Sequence, residues 1–278
     1  MGKVITVTSG KGGVGKSTSL ANISCALAEE GKKVLAIDFD IGLRNLDMIL
    51  GLENRIIYDV IDVMEGRANL SQATISFKKN RNLSFLAASQ NVDKEVLSLR
   101  KVKKLINELK DIYDYILIDS PAGIESGFEH AMVLADIALV VVNPEISSIR
   151  DADKIIGVID SKSEKAKNNE EVQKFLLINR YRQDMAMRDE SLNIQDIVDI
   201  LSIDLIGIAP EEDKLISYTN SGLPVFYDKK TNLSHAYERI AKRLINSETL
   251  ASNDYSKLLN EDGFFKKLFN KFAYYKMA

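Results

Sequence analysis

Short, nearly continuous runs of β-branched and apolar residues recur along the chain, and longer stretches with helical spacing separate them. The runs at residues 4–8, 33–38, 83–87, 115–119, 137–142, 175–179 and 203–209 predict strands. They lack alternation of apolar and polar positions, the pattern of strands buried on both faces in a parallel sheet. Residues 16–30, 99–112, 128–134, 149–162, 194–201 and 233–246 have the spacing of helices. Strands alternating with helices predict an α/β fold: a three-layer, doubly wound, mainly parallel sheet with helices on both faces. Ligands in such folds bind beyond the carboxyl ends of the strands. Residues 1–246 read as one domain. The polar stretch 163–171 reads as an exposed loop, 247–262 as a linker, and 263–278 as a terminal amphipathic helix.

Composition narrows the setting. Apolar residues make up 45% of the 278 positions and charged residues 28%, enough for a large core. The single cysteine, Cys25, excludes a disulfide framework within one chain and a four-cysteine zinc site, and fits a reducing cytoplasm. No signal peptide is visible, because the N-terminus runs directly into strand pattern. No apolar run approaches the ~18 residues of a spanning helix. Net charge is −3, but Lys266, Lys267, Lys271 and Lys276 give the last segment +4, which leaves −7 on the body. An acidic body argues against a nucleic-acid binder, and a basic tail suits an anionic surface.

The first strand is followed by Gly10, Lys11, Gly12, Gly13, Val14, Gly15, Lys16, Ser17 and Thr18. Gly10, Gly15, Lys16 and Ser17 satisfy the P-loop pattern, which predicts a P-loop NTPase. Glycines let the backbone turn so that its N–H groups converge on phosphate oxygens, and the following helix adds its positive end. Lys16 would reach the β- and γ-phosphates of ATP, and Ser17 would offer its hydroxyl to Mg²⁺. The strand before the motif and the long helix after it favour this over an inert glycine turn. Lys11 is a second lysine in the loop; by spacing alone it is also a solvated charge.

Three aspartates end strands at the same predicted edge. Asp38 and Asp40 lie two apart and share a face. Asp119 closes the run Tyr115-Ile116-Leu117-Ile118, a Walker B pattern whose acid holds Mg²⁺ through water. Each taken singly also fits a helix cap or a turn; the set beside a P-loop points to magnesium. Gly123, after Ser120-Pro121-Ala122, is a candidate switch loop for the γ-phosphate or an ordinary turn. Asn179, Arg180 and Pro210 end two further strands and are candidates to flank adenine; plain strand-end turns fit them nearly as well.

The tail has clean helical periodicity. At ~100° per residue, Phe264, Phe265, Leu268, Phe269 and Phe272 fall on one arc, and Lys266, Lys267 and Lys271 on the other. This suits a helix lying in the membrane plane, aromatic side chains in the acyl boundary and lysines on anionic headgroups. The alternative is a terminal helix docked on its own domain.

With Lys11 in place, the run from Gly10 to Ser17 resembles the deviant Walker A ATPases, the P-loop family that includes the Min and Par partition ATPases and the nitrogenase iron protein. Residues 38–47, 119–125 and 143–151 and the amphipathic tail are similar to its septum-positioning members, and the likeness runs from Val4 to Phe272. Ser17 stands where threonine is commoner in that family. The resemblance implies an ATP-dependent sandwich dimer in which Lys11 crosses to the partner's nucleotide. It implies that Asp40 positions the attacking water, that Asp38 supports the magnesium site and that Asp119 is the Walker B acid, with Lys11, Lys16 and Asp40 as the catalytic set. It further implies a peripheral protein on the cytoplasmic face of the inner membrane. That protein recruits a MinC-like division inhibitor and answers to a MinE-like activator where one exists. Arg44, Asn45 and Asp151 lie in segments that face partners in the family; each also reads as an ordinary surface or capping residue.

Four other readings compete. A flagellar-number ATPase of the same family tends to carry an extra N-terminal helix, for which the strand at Lys3 leaves no room. A ParA-type partition ATPase needs a basic body. An iron–sulfur protein needs more than Cys25. A nucleotide-binding switch with negligible hydrolysis differs only in turnover.

Overall fold

The computed structural model describes residues 1–41, 44–90, 98–124 and 126–250. The predicted tail helix, with Phe264 through Phe272, lies outside them. Eight strands form one sheet: β1 (Lys3–Thr8), β2 (Val34–Asp38), β3 (Ile75–Ser76), β4 (Leu83–Leu86), β5 (Tyr115–Asp119), β6 (Ile137–Val142), β7 (Gln173–Tyr181) and β8 (Asp204–Pro210). Their order is β3-β4-β2-β5-β1-β6-β7-β8. Every pairing is parallel except the short edge pair β3–β4.

The apolar strands are buried on both faces because alternate residues serve different layers. Ile5 and Val7 of β1, Val34 and Ala36 of β2, and Leu139 and Val141 of β6 pack with the helices Lys16–Glu29 and Asn232–Asn246. Across the sheet, Val4, Leu35, Ile37, Ile116 and Ile118 pack with the helix Leu99–Lys110. Ala138, Val140 and Val142 pack there with Ile146–Lys162 and Ile194–Leu201. The helix Lys16–Glu29 is buried along nearly its whole length, and its alanines at 21, 26 and 28 allow neighbours to approach closely.

Several expectations need correction. Residues 163–171 are not simply a loop: Ser163 is buried and its hydroxyl caps a one-turn helix, Glu164–Lys167. Between β2 and β4, where no element was expected, lie the helices Leu46–Leu50, Val60–Met64 and Leu70–Ala73 and the edge strand β3. The helix expected from residue 149 begins at Ile146, and the one expected at 128–134 spans Ser126–Met132. The body also continues past residue 246. The Leu250 N–H donates to the Leu205 carbonyl, and the Leu250 side chain packs on the core, so the start of the expected linker is docked.

Candidate nucleotide and magnesium site

Strands leave β1 in opposite directions, β2 to one side and β6 to the other, so the carboxyl ends of β1, β2 and β5 border the crevice of a doubly wound sheet. The predicted phosphate loop emerges there, between Thr8 and the helix that starts at Lys16. Gly13 and Gly15 are left-handed, with φ of 77° and 96°. The loop is tied in place at several points. The Ser9 hydroxyl donates to the Lys11 carbonyl at 2.9 Å, and the Gly123 N–H donates to the Ser9 carbonyl at 3.0 Å. Gly10 lies against the helix Ile146–Lys162, where an added Cβ would sit 2.3 Å from the Asp151 carbonyl carbon. The Asn179 side-chain N–H donates to the Val14 carbonyl at 2.7 Å. Gly12 and Gly13 have open space around them.

The acids gather beneath the loop. Asp38 and Asp119 are register partners on adjacent strands, and both are buried. Burial, then the charge of Asp119, pushes the Asp38 carboxyl well above the usual carboxylate range. Burial raises Asp119 as well, opposed by the Lys16 ammonium and by a hydrogen bond from the Ser17 hydroxyl. Two carboxylates so placed call for a cation. Asp119 Oδ1 has no hydrogen-bond partner among the described residues; neither have Thr8 Oγ1 and Asn143 Oδ1 at the ends of β1 and β6. The buried, unpartnered carboxylate oxygen of Asp119, with the Ser17 hydroxyl beside that side chain, is oxygen chemistry that fits a hard divalent ion such as Mg²⁺.

Asp38 is less available than its neighbour. Its carboxylate accepts from the Asp40 N–H at 3.0 Å and from the Asn45 and Leu46 N–H groups at 3.3 Å. It therefore closes the loop that carries Asp40 and helps to cap the helix Leu46–Leu50. Asp40 is half-buried and close enough for its charge to raise Asp119.

Lys16 is buried at the loop's mouth, while Ser17 and Thr18 are half-buried. Lys11 is exposed, and its ammonium rests on Glu145 Oε2 at 3.1 Å and Ser147 Oγ at 3.2 Å. Arg180 is exposed in a left-handed conformation (φ 54°) where the β7–β8 register shifts, which brings Tyr181 opposite Pro210. The three candidate base contacts thus share one corner of the sheet edge. Of the candidate partner residues, Arg44 is ion-paired at 2.7 Å with the buried Asp47, while Asn45 is exposed and Asp151 half-buried.

Sequence reasoning missed Glu145 and Ser147, which hold Lys11.

A family model described as "AAA domain" matches residues 2–174. The septum site-determining protein MinD of Helicobacter pylori is 56% identical over 96% of this chain and 98% of its own length. MinD in the solved MinC:MinD cell division protein complex of Aquifex aeolicus is similar with a TM-score of 0.81 and 49% identity, covering 90% of this chain and 98% of that one. The septum site-determining protein MinD of Pyrococcus horikoshii, solved with Mg-ADP, is similar with a TM-score of 0.76 and 31% identity, covering 88% and 96%. The chain belongs to the MinD family of septum site-determining P-loop proteins.

Proposed function

We propose that the chain is a magnesium-dependent ATPase that helps place the cell-division site by bringing a MinC-like inhibitor to the membrane as an ATP-bound dimer. The observation that carries this reading is the convergence of the phosphate loop, Lys16, Ser17 and the under-bonded Asp119 at one edge of the sheet. Relatives with Mg-ADP and with MinC in their solved structures support the ligand and the partner.

Ser17 and Asp119 are the residues that would hold Mg²⁺, with Asp38 behind them; the ion supplies neutralisation of phosphate charge. The loop N–H groups and Lys16 bind phosphate oxygens, and the adjoining helix N-terminus adds to their attraction. Asp40 orients a water molecule for attack. Phosphoryl transfer asks mainly for such positioning and for charge stabilisation, so one carboxylate suffices. Lys11, from a second copy, adds a cation at the transferred phosphate in the manner of an arginine finger.

The tail gives pairing a purpose. A single amphipathic helix binds lipid weakly, on the order of the ~10⁴ M⁻¹ of one myristoyl chain. Two helices on one dimer gain ~10²–10⁴-fold by avidity. ATP therefore places the protein on the membrane, and hydrolysis, stimulated by a MinE-like partner where present, releases it. Sedimentation of the full chain with anionic vesicles tests this: MgATP should carry it down and MgADP leave it in solution. Equal binding in both nucleotides would refute the coupling.

A further inference from the structure

The peptide between Val14 and Gly15 lies at the crown of the phosphate loop, just before Lys16. It is planar and trans, so its carbonyl and its N–H point in opposite directions. The Val14 carbonyl accepts the Asn179 side-chain N–H at 2.7 Å, and Asn179 is 4% exposed. With the Val14 carbonyl held on the Asn179 amide, the Gly15 N–H points away from that side chain. Among the described residues it is the one side-chain hydrogen bond to the backbone between Gly12 and Gly15. The segment needs such a tie, because Gly13 and Gly15 are both left-handed, and Gly12 and Gly13 are exposed, with nothing within 4 Å of where a Cβ would stand on either. The fit is also tight: a Cβ on Gly15 would stand 2.3 Å from Asn179 Nδ2. Neighbouring residues hold Asn179 in turn, since β7 pairs with β6 through Ile178 and then shifts register at the left-handed Arg180.

We propose that Asn179 is a positioning residue for the phosphate loop: its amide locks the Val14–Gly15 peptide so that the Gly15 N–H faces the phosphates, whatever contact Asn179 also makes with a base. The inference rests on reading Gly10–Thr18 as a phosphate loop, and it concerns the loop before any nucleotide binds. A residue acting on the base alone leaves the empty loop unchanged. A residue that sets the loop acts on empty protein and on every phosphate ligand alike.

The test compares the full chain with Asn179→Ala. Backbone hydrogen exchange of the nucleotide-free proteins should be faster in the variant over the segment Gly12–Ser17 and unchanged in β5 and β6. Affinities for MgATP and for magnesium tripolyphosphate, which has no base, should fall by similar factors. The expected size is about ten- to a hundredfold, as for loss of one buried donor to a carbonyl. Should Asn179→Ala fail to fold, Asn179→Leu, near-isosteric, uncharged and without a donor, gives the same comparison without adding a charge beside the phosphates. Unchanged exchange over the loop, or weakened MgATP binding with unchanged tripolyphosphate binding, would overturn the proposal. Failure of the wild-type protein to bind MgATP would instead defeat the nucleotide-site reading, and the exchange comparison does not depend on it.

Discussion

The Lys11 ammonium lies 3.1 Å from the Glu145 carboxylate of its own chain, so a lysine proposed to serve a partner's nucleotide is held at home in the single chain. Both groups are substantially exposed, at 44% and 54%, so the pair is a weak latch of about 0–1 kcal/mol. Glu145→Gln should therefore strengthen ATP-dependent dimerisation only modestly, by about fivefold at most. Lys11→Ala should abolish it. Sedimentation velocity in MgATP reads both; a dimer of unchanged strength in Lys11→Ala would remove Lys11 from the interface.

The loop that carries Asp40 is anchored at its far end by two glycines in contact. Gly51 ends the helix Leu46–Leu50, and a Cβ on Gly222 would stand 2.5 Å from the Gly51 Cα. Both are left-handed at φ 62°. Gly222→Ala should cost about 3 kcal/mol from strain and overlap together. Gly31→Ala has the same kind of strain (φ 77°) but meets nothing within 4 Å, and should cost only about 1 kcal/mol. Thermal melting distinguishes the two, and equal losses would show that the Gly51 contact carries no energy.

Away from the site, Asp136 ties the start of the sheet together. It accepts from the Val4 N–H and from the ammonium groups of Lys110 and Lys165. Burial alone would raise its carboxyl; the Val4 N–H and the two lysines outweigh that and hold it below the usual carboxylate range. A depressed carboxyl stabilises the fold above its unfolded value of about 3.9 and loses that contribution as pH falls through the folded value. Asp136→Asn should thus cost about 1 kcal/mol at neutral pH, and the gap to wild type should close below about pH 4. Urea melts at several pH values check this. A gap that persists at low pH would assign the loss to packing instead of charge.

Much of the fold is legible in the chain because its strands are buried on both faces. The runs at Tyr115–Asp119 and Ile137–Val142 were expected with the bounds the structure has, since polar residues bracket them sharply, Asp114 and Ser120 the first and Asp136 and Asn143 the second. The short helices after β2 were not expected, because four or five residues are too few to show a period. Their available signal was capping: Asp59 with Asp62, and Asn69 with Gln72, form reciprocal boxes. The phosphate loop was readable because its spacing is local. Its supports were not, since Asn179 reaches Val14 across 165 positions and Glu145 reaches Lys11 across 134. Nothing near either residue in the chain marks such a contact.

The central claim is that one phosphate site decides whether two weak lipid anchors act together. Steady-state phosphate release with and without anionic vesicles tests it most directly, comparing the full chain, Lys11→Ala and a chain ending at Asp262. Vesicles should stimulate the full chain and leave both variants unstimulated, the first for want of a dimer and the second for want of an anchor. Equal stimulation of the chain ending at Asp262 would contradict the account.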